Sequence, residues 1–149
     1  MRAVAQRVTQ ARVTVEGEVV GEIGPGLLVY LGAGRGDEER DVDYVARKLV
    51  GLRIFPDAED RMSLSVQDTR GAVLIVSQFT LYGDVRKGRR PSFDAACEPE
   101  RARELYEQVC ERVRGLGVEV STGRFRASMR VSGDVEGPVT ILIDSRKEF

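Results

Sequence analysis

The sequence predicts an α/β fold in which residues 1–149 form a single compact domain of many short strands and two main helices. Three observations support this prediction. Apolar runs of strand length occur at 27–31 and 72–76. Two other segments, beginning near Asp37 and at Pro99, carry apolar residues at helical spacing. No repeat, low-complexity tract or linker separates these segments, so one domain is expected.

The first third of the chain has the pattern of β structure. Residues 2–8 alternate between two faces, as a half-buried strand does. Residues 13–23 carry apolar side chains on either side of Gly17, which is typical of a β-hairpin. Gly24-Pro25-Gly26 then interrupts the pattern, and the apolar run at 27–31 predicts a central strand.

Helical periodicity appears twice. The segment from Asp37 to Leu52 places its apolar residues at helical spacing and has acidic residues in its first turn, where the helix dipole favours them. Pro99 suits the first turn of a second helix, whose apolar face continues to Leu116. The remaining segments predict short strands at 53–55, 72–76, 118–120, 125–131 and 139–143.

Composition excludes several kinds of active site. The chain contains no histidine, which removes a Ser-His-Asp triad, a Cys-His pair and every histidine-based metal site. Cys97 and Cys110 are too few for a four-thiolate zinc site or a disulfide framework. We therefore expect no metal and no cofactor. Catalysis must rest on hydroxyls, carboxylates, Lys or Arg, backbone dipoles or the substrate itself.

Charge and hydropathy indicate a cytoplasmic protein. The net charge is −1, which neither favours nor excludes nucleic acid as a partner. No apolar run approaches the roughly 18 residues of a membrane helix. The first eight residues lack the continuous apolar stretch of a signal peptide. We expect no contact with a membrane.

Three stretches carry chemical information, and each has a plainer interpretation. Ser77 to Thr80 end a buried strand, where side chains are held firmly yet reach solvent, but their hydroxyls could simply satisfy the last backbone groups. Gly137-Pro138 precedes a strand and could be an ordinary turn. A basic loop could bind phosphates or merely be solvated; its cations are Arg86, Lys87, Arg89 and Arg90.

Two of these stretches resemble motifs of the D-aminoacyl-tRNA deacylase family. Ser77-Gln78-Phe79-Thr80-Leu81 resembles the SQFTL motif, and Gly137-Pro138-Val139-Thr140 resembles the GPVT motif. The similarity extends through segments 6–8, 86–88, 90–93 and 122–125, in the order usual for the family. Two separated motifs in a chain of the family's length make this resemblance specific.

The resemblance implies a hydrolase that cleaves the ester bond of D-aminoacyl-tRNA, a proofreading step that releases free tRNA and the amino acid. It also implies activity on glycyl-tRNA and a mixed, barrel-like β-sheet with two main helices. The partner implied is a second copy of the chain, in a homodimer with active sites at the subunit interface.

The resemblance also implies how L-aminoacyl-tRNA is rejected. In the family the Gly-Pro bond is cis, and its carbonyl groups point into the active site of the partner subunit. Gly137 and Pro138 would therefore form a rigid backbone wall that leaves no room for an L side chain. By analogy with the family, Arg7 holds this segment in place; the alternative is a surface charge on the first strand.

For catalysis, the implied segment is Ser77, Gln78, Phe79 and Thr80. Backbone N–H groups around Gln78 and Phe79 could stabilise the developing oxyanion. We expect Thr80 to position the substrate or a water molecule; a nucleophilic role is the alternative, although the sequence offers no nearby base. The basic loop is the predicted tRNA contact. Two other functions remain open, a non-catalytic tRNA-binding module and an esterase acting on free esters.

The chain departs from the family pattern at two positions. Arg126-Ala127 stands where the family commonly has Gly-Ala, and Glu136 stands where Asn or Asp commonly precedes the Gly-Pro pair. The first departure adds a long cation near the expected pocket. Neither departure changes a motif residue.

Overall fold

The computed structural model describes residues 1–149, and its first two strands form the hairpin that the sequence predicts. Strand β1 (Arg2–Val15) pairs antiparallel with β2 (Glu18–Ile23). Glu16 and Gly17 form the turn between them, with φ of 50° and 81°. Positive φ at both central residues matches the right-handed twist of the flanking strands, and glycine adopts it without steric cost.

Strand β1 lies at the centre of a six-stranded mixed sheet. One edge of β1 pairs with β3 (Gly26–Gly32) and then with β2, while the other edge pairs with β8 (Arg130–Asp144). Beyond β3, strands β6 (Ala72–Ser77) and β7 (Glu119–Thr122) continue the sheet in parallel. The order is β2-β1-β3-β6-β7, with β8 branching from β1.

The two outer strands of this order come together and nearly close the sheet. The Ser121 hydroxyl of β7 donates to the Glu22 carbonyl of β2 at 3.1 Å. Gly21 permits this approach, because a Cβ there would lie 2.1 Å from the Thr122 carbonyl oxygen. The predicted mixed, barrel-like sheet is therefore confirmed.

Both predicted helices are present and cover one face of the sheet. Helix α1 (Glu39–Gly51) begins with a capping box between Glu38 and Asp41, and helix α2 (Pro99–Gly115) has its proline in the first turn. The two helices pack against each other and against the main core. Neither helix has the length and apolar content that crossing a lipid bilayer would require.

Strands β3 and β6 are buried on both faces, as their continuous apolar runs predict. Leu27 and Ile75 belong to the core that the helices cover. Leu28 and Leu74 point the other way, into a smaller cluster inside the barrel. These two rigid strands end side by side, which fixes the position of the segment that follows β6.

The prediction of a strand at 125–131 is wrong. Residues 123–129 form a loop with a turn at Phe125 and Arg126, and β8 begins only at Arg130. Phe125, Ala127 and Met129 are half-buried because the loop lies along a cavity, while the residues between them are exposed. The alternation in the sequence therefore reflects packing without a hydrogen-bonded ladder.

Two other boundaries differ from the predictions. The strand predicted at 139–143 is the second half of β8, whose exposed polar first half gives little apolar signal. Strand β4 (Phe55–Pro56) lies slightly later than the predicted 53–55 and pairs with β5 (Met62–Leu64), which the sequence analysis did not predict.

Candidate active site

The segment Ser77–Thr80 lies where β6 leaves the sheet. Ser77 is the last residue of β6, and the amide of Gln78 donates to the Leu31 carbonyl at 2.8 Å. A single turn of 3-10 helix, Phe79–Tyr82, follows directly. The sheet thus anchors one end of this segment, and the short helix turns its next residues outward.

The backbone amides of Gln78 and Phe79, both predicted as possible oxyanion donors, differ in whether they are already hydrogen-bonded. The amide of Gln78 is already used by Leu31. The amides of Phe79 and Thr80 open the 3-10 helix, so they have no carbonyl partner within that helix. Of the two amides, that of Phe79 is therefore the one that can donate to a bound molecule.

The hydroxyl of Thr80 is hydrogen-bonded to a neutral amide and not to a base. Its side chain is exposed and accepts a hydrogen bond from Nε2 of Gln78. The residues that line the adjacent cavity include no carboxylate and no lysine. This arrangement suits a hydroxyl that orients a substrate or water molecule.

A cavity of about 380 Å³ opens beside this segment. Its lining is mostly apolar and includes Gly32, Ser77, Phe79, Tyr106 and Phe125. The Tyr106 hydroxyl does not face a substrate, since it donates to the Ile75 carbonyl at 2.7 Å. Burial raises the pKa of Tyr106 above its ordinary value, so the hydroxyl stays protonated.

Arg2 holds the 3-10 turn through contacts with Leu81 and Tyr82, and the sequence did not predict a role for either Arg2 or Tyr82. The Arg2 guanidinium donates to the Leu81 carbonyl at 3.2 Å and lies 4.6 Å from the centre of the Tyr82 ring. Burial raises the pKa of the Tyr82 phenol. Gly34 makes room for the ring, because a Cβ there would lie 2.5 Å from Tyr82 Cζ. Glycines at 32 and 34, directly after a buried strand, were the available signal.

Gly137 and Pro138 leave the ladder of β8. Pairing with β1 runs as far as Val135 opposite Val8 and resumes at Thr140 opposite Gln6. Residues 136–139 therefore bulge from the strand, and the Gly137–Pro138 bond within this bulge is cis. Both residues are exposed, and neither lines the cavity of its own chain. Within one chain, the Gly137-Pro138 motif is therefore not part of the cavity that Ser77, Gln78 and Phe79 line.

Arg7 contacts the base of this bulge. Its guanidinium donates to the Ile54 carbonyl at 2.8 Å and to the Glu136 carbonyl at 3.3 Å. The Glu136 carboxylate lies 3.8 Å from the same guanidinium. A Cβ on Gly137 would lie 3.3 Å from Arg7 Nη2 and 2.8 Å from Val139 Cγ2. With a side chain only 12% exposed, Arg7 is packed rather than a free surface charge.

The basic loop is fully exposed and lies next to the site. A pair of backbone hydrogen bonds between Asp84 and Ser92 closes the loop, and Phe93 beyond it packs edge-on against Phe79 with ring centroids 5.1 Å apart. Arg86 pairs with Asp84 at 2.6 Å, and hydrogen bonds from Arg86 lower the pKa of Asp84 to about 2. The loop's other cations form no ion pair; they are Lys87, Arg89 and Arg90.

Arg126 lies on the rim of the cavity and has the one charged side chain in its lining. Its φ is 65°, a left-handed conformation that glycine adopts freely and that costs a residue with a Cβ about 1 kcal/mol.

Comparison with known proteins gives consistent matches over the whole chain. A family model described as D-Tyr-tRNA(Tyr) deacylase matches residues 4–144. The D-aminoacyl-tRNA deacylase of Symbiobacterium thermophilum is 60% identical over 149 residues, which cover 100% of this chain and 99% of that protein. The D-aminoacyl-tRNA deacylase of Desulfitobacterium hafniense is 59% identical, with 100% of both chains covered.

Two solved structures are also similar. One described as "c-Myc DNA Unwinding Element Binding Protein" has a TM-score of 0.91 and 39% identity, covering 97% of this chain and 98% of that one. Another, described as "a probable eukaryotic D-amino acid tRNA deacylase", has a TM-score of 0.80 at 22% identity, covering 95% of this chain and 97% of that one. The second likeness concerns the fold.

Proposed function

Because the chain belongs to the D-Tyr-tRNA(Tyr) deacylase family, and is an enzyme that hydrolyses the ester bond of D-aminoacyl-tRNA, we propose that hydrolysis takes place beside Ser77–Thr80, at the mouth of the cavity. The observation that carries this proposal is the Phe79 amide, which opens a 3-10 helix at the end of a rigid strand. Such a fixed donor is what an ester's developing oxyanion needs.

The chemistry requires little from ionisable side chains. One backbone donor aimed at the oxyanion is typically worth about 3 kcal/mol of barrier. Fixing the ester beside a water molecule contributes through orientation. Gln78 and Thr80, joined by a side-chain hydrogen bond, orient the ester or the water. The vicinal ribose hydroxyl of the substrate can assist, which explains how a chain without histidine acts as a hydrolase.

Selectivity for the D enantiomer would come from the bulge of a partner subunit. Gly137 and Pro138 protrude from an exposed strand and do not line their own cavity, which supports a role across an interface. Main chain placed against the α-carbon would clash with an L side chain, whereas a D side chain would point away. Glycine has no side chain, so glycyl-tRNA would be accepted as well.

The surface of β8 supports a homodimer. This strand pairs with β1 along one edge only, so its other edge has unpaired backbone groups. Leu142, at 60% exposed, and Val135, at 37% exposed, add apolar surface along it. Pairing of two copies along β8 would bury this edge and bring each bulge to the opposite cavity.

The basic loop would contact the tRNA, and the cytoplasm, where aminoacyl-tRNA is used, is the proposed location. Lys87, Arg89 and Arg90 have no competing carboxylate, so they are free to pair with phosphates. The loop reaches the site through the contact between Phe93 and Phe79.

One experiment tests the assignment of the reaction and its selectivity. The purified protein is incubated with D-tyrosyl-tRNA and with L-tyrosyl-tRNA, and loss of the ester is measured. We expect rapid loss of the D ester only; equal rates would contradict chirality proofreading. Binding of tRNA without release of amino acid would favour a non-catalytic module, and equal activity on a D-amino-acid methyl ester would favour a general esterase.

A second experiment tests the composite site. Leu142→Glu places a charge on the exposed strand, and Val19→Glu, on the 49% exposed Val19 of β2, is the matched control. We expect Leu142→Glu to sediment as a monomer and to lose activity, while the control keeps both. A monomer that retains full selectivity would contradict the cross-subunit wall.

A further inference from the structure

A second depression lies against the candidate active site. It has a volume of about 360 Å³ and shares Tyr106 and Phe125 with the lining of the first cavity. The Phe125 ring therefore forms a wall common to both. Arginines from helix α2 and from the loop after β7 surround it; they are Arg103, Arg114 and Arg124. We refer to this depression as the arginine groove.

The cations of the arginine groove are largely unpaired. Arg103 lies with its guanidinium carbon 5.1 Å from the centre of the Phe125 ring and forms no ion pair. Arg124 in the groove and Arg126 at the rim of the neighbouring cavity form none either. Arg114 is paired with Glu111 at 2.7 Å.

One acidic side chain opposes these cations. Glu107 lines the groove and forms no ion pair, since the other carboxylate there, Glu111, belongs to Arg114. Two unpaired arginines in the groove, and a third at its junction with the cavity, therefore outnumber one free carboxylate. The groove favours an anion, and Glu107 weakens that preference.

We propose that the arginine groove binds the phosphate backbone of the single-stranded 3′ end of tRNA, just before the nucleotide that carries the ester. The inference rests on the proposed function, because the ester beside Ser77–Thr80 places the terminal nucleotide at the cavity. The preceding nucleotides must then leave along a surface that adjoins the cavity. The arginine groove adjoins the cavity through Phe125, whereas no residue of the basic loop lines the cavity.

The chemistry of the groove suits single-stranded RNA. Guanidinium groups match phosphate geometry and bind it through charge-assisted hydrogen bonds. An aromatic ring at the junction gives a base or ribose a flat apolar surface, and such contacts tolerate any sequence. This surface would add to the basic loop, which would contact the tRNA farther from its 3′ end.

Binding and hydrolysis are measured separately for Arg103→Ala and Arg124→Ala. Binding uses uncharged tRNA, either intact or trimmed of its 3′-terminal nucleotides, followed by fluorescence anisotropy across a range of salt concentrations. We expect each variant to weaken binding of intact tRNA about tenfold, as loss of one charge-assisted contact would. The slope of log K against log salt should fall by about 0.7 for each lost phosphate contact. Trimmed tRNA should bind wild type and variants alike.

Hydrolysis is measured on D-tyrosyl-tRNA and on D-tyrosyl-adenosine, which has no phosphate before its single nucleotide. The variants should raise KM for the tRNA ester and leave kinetics on the adenosine ester unchanged. Glu107→Gln, which removes the opposing negative charge, should instead tighten the binding of intact tRNA. Arg47→Ala, on an exposed arginine of α1 outside the groove, is the matched control and should change nothing.

Several outcomes would overturn the proposal. The proposal would be overturned if both alanine variants bound intact tRNA as tightly as the wild type does. It would also be overturned if the variants lost activity equally on the two esters, because that result indicates damage to the catalytic site itself. Arg103→Lys, which keeps the charge, guards against misfolding and should restore most of the binding. Failure of the wild-type protein to hydrolyse either ester would contradict the proposed function instead, while the binding measurement would still decide the role of the groove.

Discussion

Replacing Arg7 with Met should loosen the backbone wall of Gly137 and Pro138 that we propose rejects L-aminoacyl-tRNA. The guanidinium joins the base of the 136–139 bulge to the Ile54 carbonyl and is mostly buried. Methionine has a similar length and fills the space, but it cannot donate a hydrogen bond. The substitution therefore removes the polar contacts and keeps much of the packing.

The size of the effect follows from the contact distances. The bond to the Ile54 carbonyl, at 2.8 Å, has good length, and a hydrogen bond from a charged donor is worth about 1.5–3 kcal/mol. The bond to the Glu136 carbonyl is longer, at 3.3 Å, and the ion pair with the half-exposed Glu136 carboxylate adds under about 1 kcal/mol. A total near 2 kcal/mol corresponds to a factor of about 30.

The assay compares the rates of ester loss from D-tyrosyl-tRNA and L-tyrosyl-tRNA. We expect Arg7→Met to lower the ratio of these rates by roughly 30-fold, mainly by raising hydrolysis of the L ester. Arg7→Lys keeps the charge but has a single donor group, so it should fall between wild type and Arg7→Met. Arg12→Met removes an exposed arginine of β1, the strand of Arg7, that is paired with Glu22 of β2, and it should leave the ratio unchanged.

A drop in thermal stability with no change in the D-to-L ratio would refute this reasoning. Arg7 would then be a structural contact between β1 and the segment at Ile54, without influence on the position of Gly137 and Pro138.

Three other predictions follow from the geometry. Thr80→Ala should slow hydrolysis without abolishing it, and mass spectrometry of the quenched wild-type reaction should show no acyl-enzyme on Thr80, because this hydroxyl is hydrogen-bonded to the Gln78 amide and not to a base. Arg126→Gly should stabilise the protein by about 1 kcal/mol, seen as a higher melting temperature, because glycine adopts the positive φ without strain. Burial alone would raise the pKa of Asp41, but hydrogen bonds from Ser145 and the Glu38 amide outweigh it and lower the pKa below 3.8. Its stabilising contribution is therefore present above that value and lost as the pH falls below it, so urea denaturation of Asp41→Asn should depend less on pH in this range.

Much of the fold was predictable because its main strands and helices have one simple periodicity each. The continuous apolar runs of β3 and β6 reflect burial on both faces. The helices are predicted by the spacing of their apolar residues and by the residues of their first turns. Periodicity gave a wrong prediction at 125–131, where the alternation of apolar and polar residues comes from a loop packed along a cavity and not from a strand. Strand β8 was only half predicted, because an exposed strand has no apolar pattern to read.

The candidate site was predictable only in part. The segment Ser77–Thr80 was noticed at the end of an apolar run, and its place at the end of a buried strand was correct, but only the resemblance suggested a catalytic role for it. The supporting contact between Arg2 and Leu81 joins residues 79 positions apart, so no local sequence pattern could predict it. The arginine groove was also missed, because Arg103 and Arg124 are distant in sequence and meet only around the Phe125 ring.

The cavity lining has a consequence for how the rate responds to acidity. Its only ionisable side chains are Tyr106, held protonated by burial, and Arg126, whose guanidinium type stays charged in proteins. Neither changes its charge in the neutral range. Between mildly acidic and mildly alkaline buffers, we therefore expect no inflection in the turnover that is contributed by a side chain of the cavity.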